Sequence, residues 1–540
     1  MTRLLVIGLD GGTRTVTRHP DAGLGNLAAL EAQGAQAVLR STVPPITSAA
    51  WASMFTGWNP GRHGMYDFRV LDTARYAHLW GAGHSAGFGD EPRFVTSRRW
   101  RGAAVWDLVG DSRTVAVSAV PMTYPAWQVN GTMISGFPLP DYTRNHAYPE
   151  GAGDGVPVLL EGGDDMGGMS DAEVAAHCAR LVERQAGVVR DWLAPDGPKV
   201  MVAVFQGTDF AQHRLWKYLD RPGDPLRDAL FDLYRAVDEL IGEARERLGG
   251  AGTVAVVSDH GFGPHPRTLL HTDAVLRDAG LLTASGGSRS SAPKRLLERT
   301  PALRRRLRLI ADRLPSGAGD SLAARYSGAD AVDWSQTKAY RYPLYAPAEG
   351  VVVNLRGRQP EGCVEPGAEY EQVRDEVIEA LSRLRTPADT PAVQWARRRE
   401  DVFHGRYLDE APDVIALLHP DIKGSTGTGE TFAPVGDSIL ETFSGVHAME
   451  GIFAIAGRGV RAGVNLGERD ITDVAPTLLA LLGAVPEDEL DGKTMTEALE
   501  PASHPLVRTG AHTPETADPV MSAEEEAALE RSLRSLGYIE

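Results

Sequence analysis

The sequence predicts an α/β fold, a three-layer sandwich on a mostly parallel central sheet with an inserted α+β lobe. Three observations predict it. Residues 4–9, 199–205 and 253–257 are apolar or β-branched runs of strand length, the pattern of strands buried on both faces. An amphipathic helix over 226–248, closed by Gly249 and Gly250, separates the second run from the third. Strand, helix and strand then form a βαβ unit whose strands pair in parallel. Finally, the composition shifts to Ser, Gly and basic residues over about 280–335, and the core-like pattern resumes only near Ser444.

Taken in order, residues 4–9 make a first strand that ends at Asp10-Gly11-Gly12, a helix follows over 24–33, and 37–40 is extended. Residues 41–46 are irregular because Pro44 and Pro45 lack backbone donors. A helix starts at Thr47 or Ser48 and stops at Gly57, and 59–64 is a turn cluster. Gly-rich runs at 81–89 and 151–168 mark 70–195 as loops or insertions, interrupted by a strand at 115–120 and a helix over 170–193. Residues 337–445 read as a separate α+β lobe, with strands near 350–355 and 413–418, a helix near 370–384 and a glycine-rich loop at 424–429. A strand at 451–456, a helix over 470–482 and an acidic helix within 521–540 complete the chain. The expected division is a catalytic core over 1–275, an inserted lobe over 276–440, and the rest of the core over 441–540.

The 540 residues carry a net charge of −17. Such an acidic surface excludes nucleic acid or an anionic membrane as the main partner. A small anion remains a fitting substrate, because a bound metal reverses the local potential. The only cysteines, Cys178 and Cys363, form no ligand spacing or disulfide framework, which fits a reducing compartment. No run reaches the roughly 18–20 apolar residues of a membrane span, and the first ten residues read as a strand rather than a leader. The expectation is a cytoplasmic protein, and composition leaves its oligomeric state open. The basic stretch 294–313 is either a solvated face or an electrostatic funnel for an anionic substrate.

The chemistry gathers at strand ends. Asp259 and His260 close the third apolar run, where open α/β sheets place ligands. A hard oxygen beside an imidazole suits Zn²⁺ or a similar ion, although a plain turn gives the same residues. Asp209 and His213 are four apart, so one helical turn aims both at a single ion; a solvated helix start is the other reading. Thr47 is either a capping hydroxyl or a nucleophile at a helix N-terminus, where anions are welcome. Asp10 repeats the acid at a strand end, and His447 adds a third imidazole from a late loop. One hydroxyl, three carboxylates and three imidazoles suit two divalent ions about 4 Å apart, clamping the attacking and leaving oxygens of phosphoryl transfer. His63 reads as structural, and His265 and His271 as supporting or surface groups.

These residues carry a resemblance. Gly8-Leu9-Asp10-Gly11-Gly12, Pro44-Pro45-Ile46-Thr47 with Thr56-Gly57 and His63-Gly64, Asp209 with His213, Ser258-Asp259-His260-Gly261-Phe262, and Gly445-Val446-His447 stand in order. So arranged, the chain resembles the alkaline phosphatase superfamily, in its branch of type I phosphodiesterases and nucleotide pyrophosphatases. Asn354-Leu355 with Gly357-Arg358, and Asp473 with Pro476-Thr477 and Asp491-Gly492, look like structural signatures of the same branch. The resemblance implies an alkaline phosphatase-like fold and two divalent ions, Zn²⁺ with Mn²⁺ as the alternative. Asp209, His213 and His447 would hold one ion; Asp10, Asp259, His260 and Thr47 would hold the other. Thr47 would attack phosphorus and form a phosphothreonine on a small phosphorylated substrate. Where nucleotide pyrophosphatases carry an Asn that holds a phosphoryl oxygen, this chain has Phe68, so diesterase and monoesterase both stay open. A phosphonate hydrolase, a phosphomutase and a degenerate binding protein rank below them. The Cys/Ser-x-Pro-x-Arg motif of sulfatases is not found at Thr47.

Overall fold

The structure is a computed structural model that describes residues 3–74, 76, 94–110, 113–139, 145–153, 166–284, 332–426, 429–501, 507–509, 521–536 and 538. The Ser/Gly run at 285–291, the basic stretch 294–313 and the Gly-rich run 81–89 lie outside the described residues.

Arg3–Leu9 is the centre of a nine-stranded sheet. It pairs in parallel with Val200–Phe205 on one side and with Gly252–Val257 on the other. Beyond Val200–Phe205 come Val115–Val120, Gly131–Ser135 and the edge strand Ala147–Tyr148; beyond Gly252–Val257 come Glu450–Gly457, Ala35–Arg40 and Val464–Asp470. The pairing is mostly parallel, and the exceptions are the two contacts of Glu450–Gly457 and the one between Gly131–Ser135 and Ala147–Tyr148. Leu4, Leu5, Val6 and Ile7 are all fully buried, so both faces of the sheet are covered. Each such side chain contributes about 1.5–3 kcal/mol by leaving water. On the covering layers, Gly25–Gln33, Asp171–Trp192, Gly207–Leu215 and Pro225–Leu248 pack on one another, and Thr47–Thr56 packs on Val474–Leu482.

Sequence and fold agree closely along this core. The Asp171–Trp192 helix opens on a capping box, with Ser170 and Glu173 exchanging backbone bonds. The Pro225–Leu248 helix opens on Asp224 with Pro at its first position. Two differences stand out. The region read as loops over 70–195 also contributes Gly131–Ser135 and Ala147–Tyr148 to the sheet; the first alternates too weakly and the second is too short for a periodic signal. Thr47 is not a cap: it is the first residue of its helix, and the preceding Ile46 offers no capping side chain.

The later residues build a second sheet, in the order Ala339–Tyr342, Ala348–Val353, Val414–Leu418 and Val393–Arg398, antiparallel throughout. The Ala368–Ser382 helix covers it through Val373, Val377 and Leu381, whose four-residue spacing forms one apolar face. Asn354 ties this sheet together, its Nδ2 donating to the carbonyls of Trp334 and Thr337. Asp491 secures the turn that follows the Thr47–Thr56 helix by accepting from the Asn59 amide at 2.7 Å and from Arg62. Cys178 and Cys363 are both free thiols. Among the described residues, no helix is long and apolar enough to cross a membrane.

Candidate active site

Three neighbouring parallel strands run in register, Leu9 opposite Phe205 and Gly8 opposite Val257, so they end at one edge of the sheet. That edge delivers Asp10, the helix bearing Asp209 and His213, and Asp259 with His260. His447 arrives on Gly445–Ala448, which pairs antiparallel with Gly261–Pro264 and sets His447 opposite Phe262. Thr47 arrives at the N-terminus of the Thr47–Thr56 helix. All seven residues read from the sequence therefore converge, and each is buried.

Close packing makes the convergence tight. A Cβ at Gly8 would lie 2.5 Å from Trp51, so only glycine lets the indole lie on the strand. From there Trp51 Nε1 donates to Asp10 Oδ2 at 3.0 Å. Gly11 has φ +66° and a Cβ there would meet Asp209 Oδ1 at 3.2 Å. Its amide donates to Asp259 Oδ1 at 3.1 Å.

The imidazoles are oriented by backbone carbonyls, which only accept. His213 Nδ1 donates to Gly445 O, His260 Nδ1 to Gly261 O and His447 Nδ1 to Pro45 O, at 2.8–3.1 Å. Each ring therefore turns its Nε2 inward, the arrangement by which proteins prepare histidines as metal ligands. His213 Nε2 and His447 Nε2 lie 3.2 Å apart, close enough to face one cation together. His447 Nε2 is also 3.1 Å from Asp209 Oδ1, and His260 Nε2 is 3.2 Å from Asp259 Oδ2 and 3.6 Å from Asp10 Oδ1. Two ligand groups result, Asp209 with His213 and His447, and Asp10 with Asp209 and His260. The resemblance implies Asp259 for the second group as well, and the structure makes Asp209 common to both groups.

The electrostatics agree with this geometry. Asp10 Oδ1, Asp209 Oδ1 and Asp259 Oδ2 are buried without a hydrogen-bond partner. Burial, and then the charge of neighbouring carboxylates, pushes Asp10 well above the usual carboxylate range. Burial likewise raises Asp259. At Asp209 burial opposes ionisation, but His213 and His447 outweigh it and hold the group below its usual range. Burial lowers His213 to about 4 and His260 well below 6.5, keeping both neutral. Three buried acids with open oxygens and three inward-facing imidazoles fit divalent ions in donor type.

Thr47 Oγ1 lies 3.4 Å from His260 Nε2 and 3.3 Å from Tyr538 Oη. Sequence reasoning missed Tyr538, together with Trp51 and Tyr345, whose ring lies 4.4 Å from that of His447. Nothing local marks a tyrosine beyond an acidic helix as a site residue. The other histidines lie apart: His63 is held between Ser53 and the Met65 amide, while His265 and His271 donate to the Pro266 and Glu430 carbonyls.

Comparison with known proteins adds to the geometry. The family model described as type I phosphodiesterase / nucleotide pyrophosphatase matches residues 4–438. No curated protein matches the chain. Among solved structures, human ectonucleotide pyrophosphatase/phosphodiesterase 5 aligns with 14% identity and a TM-score of 0.44, covering 89% of this chain and 95% of its own. The murine counterpart, as an inactive threonine-to-alanine variant in complex with AMP, aligns with 13% identity and a TM-score of 0.43 over the same shares.

Proposed function

Because the chain belongs to the type I phosphodiesterase / nucleotide pyrophosphatase family, and is thus a phosphoester hydrolase, we propose that it acts through a covalent phosphothreonine on Thr47. The observation that carries this reading is the set of three buried carboxylates with open oxygens and three inward Nε2 atoms around one hydroxyl. Asp209, His213 and His447 would hold one divalent ion, and Asp10, Asp259, His260 and Thr47 a second. Such ions, Zn²⁺ by ligand type with Mn²⁺ as the alternative, supply Lewis-acid charge to the phosphoryl, attacking and leaving oxygens.

The chain's own residues do the rest. Thr47 sits in a helix first turn with no acidic residue, where free amides and the helix dipole favour an alkoxide and an incoming anion. The Thr47 Oγ–P bond forms as Oγ gives up its proton and the P–O bond to the leaving group breaks, the departing oxygen taking up a proton. Water then cleaves the phosphothreonine and restores the hydroxyl. Full burial of the acids and imidazoles keeps bulk water from screening these charges. We read the substrate as a small phosphodiester or pyrophosphate. Phe68 supports a second reading, a monoesterase, because it is buried against Phe137 and offers no donor to a phosphoryl oxygen.

The test compares bis-p-nitrophenyl phosphate, thymidine p-nitrophenyl phosphate and p-nitrophenyl phosphate, with Thr47→Ala in parallel. Faster turnover of the diesters and loss of about 10³-fold or more in the variant are expected, the scale for removing a nucleophile. Faster turnover of the monoester selects the second reading. An active Thr47→Ala enzyme overturns the nucleophile.

A further inference from the structure

Beyond the helix amides, the metal-ligand side chains around Thr47 are acceptors. Carboxylates that hold a cation would not donate, and the neutral His260 ring, whose Nδ1 donates to Gly261 O, offers Thr47 Oγ1 a bare Nε2. A phosphoryl group joined to Thr47 gathers negative charge on its non-bridging oxygens, which want donors that need no rearrangement. Among the described residues, the neutral side-chain donor within hydrogen-bond reach of Thr47 Oγ1 is Tyr538, at 3.3 Å. Its one proton now goes to Asp209 Oδ2 at 2.7 Å.

The chain holds this hydroxyl firmly. The Ala523–Ser535 helix docks through Leu529 and Leu533, with Leu536 beyond it, all buried in the main core. The Tyr538 amide then bonds Leu533 O at 3.0 Å, turning the chain back toward the site. The ring stands edge-on to Phe68 at 4.9 Å and packs on Phe137 and Tyr345. Phe68 thus contributes a wall that orients the phenol rather than a donor of its own.

We propose that Tyr538 is a further residue of the active site, its hydroxyl donating to a non-bridging oxygen of the phosphoryl group on Thr47, which makes the terminal helix part of the catalytic apparatus. This rests on Thr47 being the nucleophile. Full-length Tyr538→Phe, Tyr538→Ala and Thr47→Ala would be assayed on bis-p-nitrophenyl phosphate and titrated with orthovanadate. Tyr538→Phe keeps the ring packing, so its Tm should match the parent while kcat falls about 100-fold with KM little changed, as for loss of one preorganised donor. Vanadate should bind about tenfold more weakly, and Tyr538→Ala should be no faster than the Phe variant. Unchanged kcat and vanadate binding in Tyr538→Phe would overturn the inference. So would faster turnover in either tyrosine variant, which would make the tail a plug over Thr47. An active Thr47→Ala would remove the nucleophile and the inference together, whereas an inactive Thr47→Ala beside an unaffected Tyr538→Phe removes only the tyrosine's role.

Discussion

The two sheets treat buried charge in opposite ways. In the antiparallel sheet, Glu349 is fully buried but accepts from Arg341 and from Thr272. Asp413 is equally buried and accepts from Arg358, Tyr370 and the Val353 amide. Every one of these donors belongs to the chain. At the edge of the parallel sheet, Asp10, Asp209 and Asp259 are as deeply buried, and each keeps an oxygen without a partner. Burying a carboxylate without compensation costs several kcal/mol. The second sheet uses its charges to fix its own packing; the first leaves carboxylate oxygens open, and the proposed ions would fill them.

Removing that outside partner should give the largest effect. Chelation should abolish phosphoester turnover, and adding back Zn²⁺ or Mn²⁺ should restore it and raise Tm, because an ion that binds only the folded state at about 100 times its Kd adds about 2.7 kcal/mol. Turnover that survives exhaustive chelation, confirmed by elemental analysis, would break the comparison. A smaller contrast lies in stability. Asp413→Ala strands Arg358 and should cost about 3–5 kcal/mol, as breaking a buried pair does. In metal-free protein Asp259→Asn should cost nothing or stabilise, since Oδ1 still accepts from Gly11 and a buried carboxylate is gone. Urea unfolding of both variants checks this, and equal losses would show that the two acid sets are alike.

A further contrast concerns pH. His63 is buried and neutral, lowered from 6.5 to about 3 by burial and then by Arg99. Its Nδ1 accepts from the Met65 amide. The unfolded chain takes up a proton below about pH 6.5, whereas the folded chain resists until about pH 3. Acid therefore favours unfolding across that window, and the contribution is complete above it. His63→Gln should flatten the dependence of stability on pH between 3 and 6.5; an unchanged slope would show that His63 is not one of its sources.

Much of this site was legible because its chemistry sits where periodic patterns break. Asp10, Asp209 and Asp259 follow apolar strand runs within a few residues, so locating the strands located the acids. Thr47 was legible as a helix start, but its role was not, since a capping hydroxyl and a buried nucleophile look alike until Ile46 is seen to occupy the cap position. Gly131–Ser135 escaped because a five-residue edge-side strand carries little periodicity. Tyr538 escaped altogether: it lies 491 residues from Thr47 in sequence, and only the docked terminal helix brings the two hydroxyls together.

Local pattern specified most of the elements and the residue types that end them, because burial periodicity, caps and turns leave their mark within a few residues. Tertiary structure alone decided the rest: that three strand ends share one edge, that Asp209 lies between both ligand groups, that backbone carbonyls aim three Nε2 atoms inward, and that a distant tyrosine reaches Thr47. These are contacts between residues far apart in the chain, set by strand order and helix docking, and no local pattern encodes a distance across the fold.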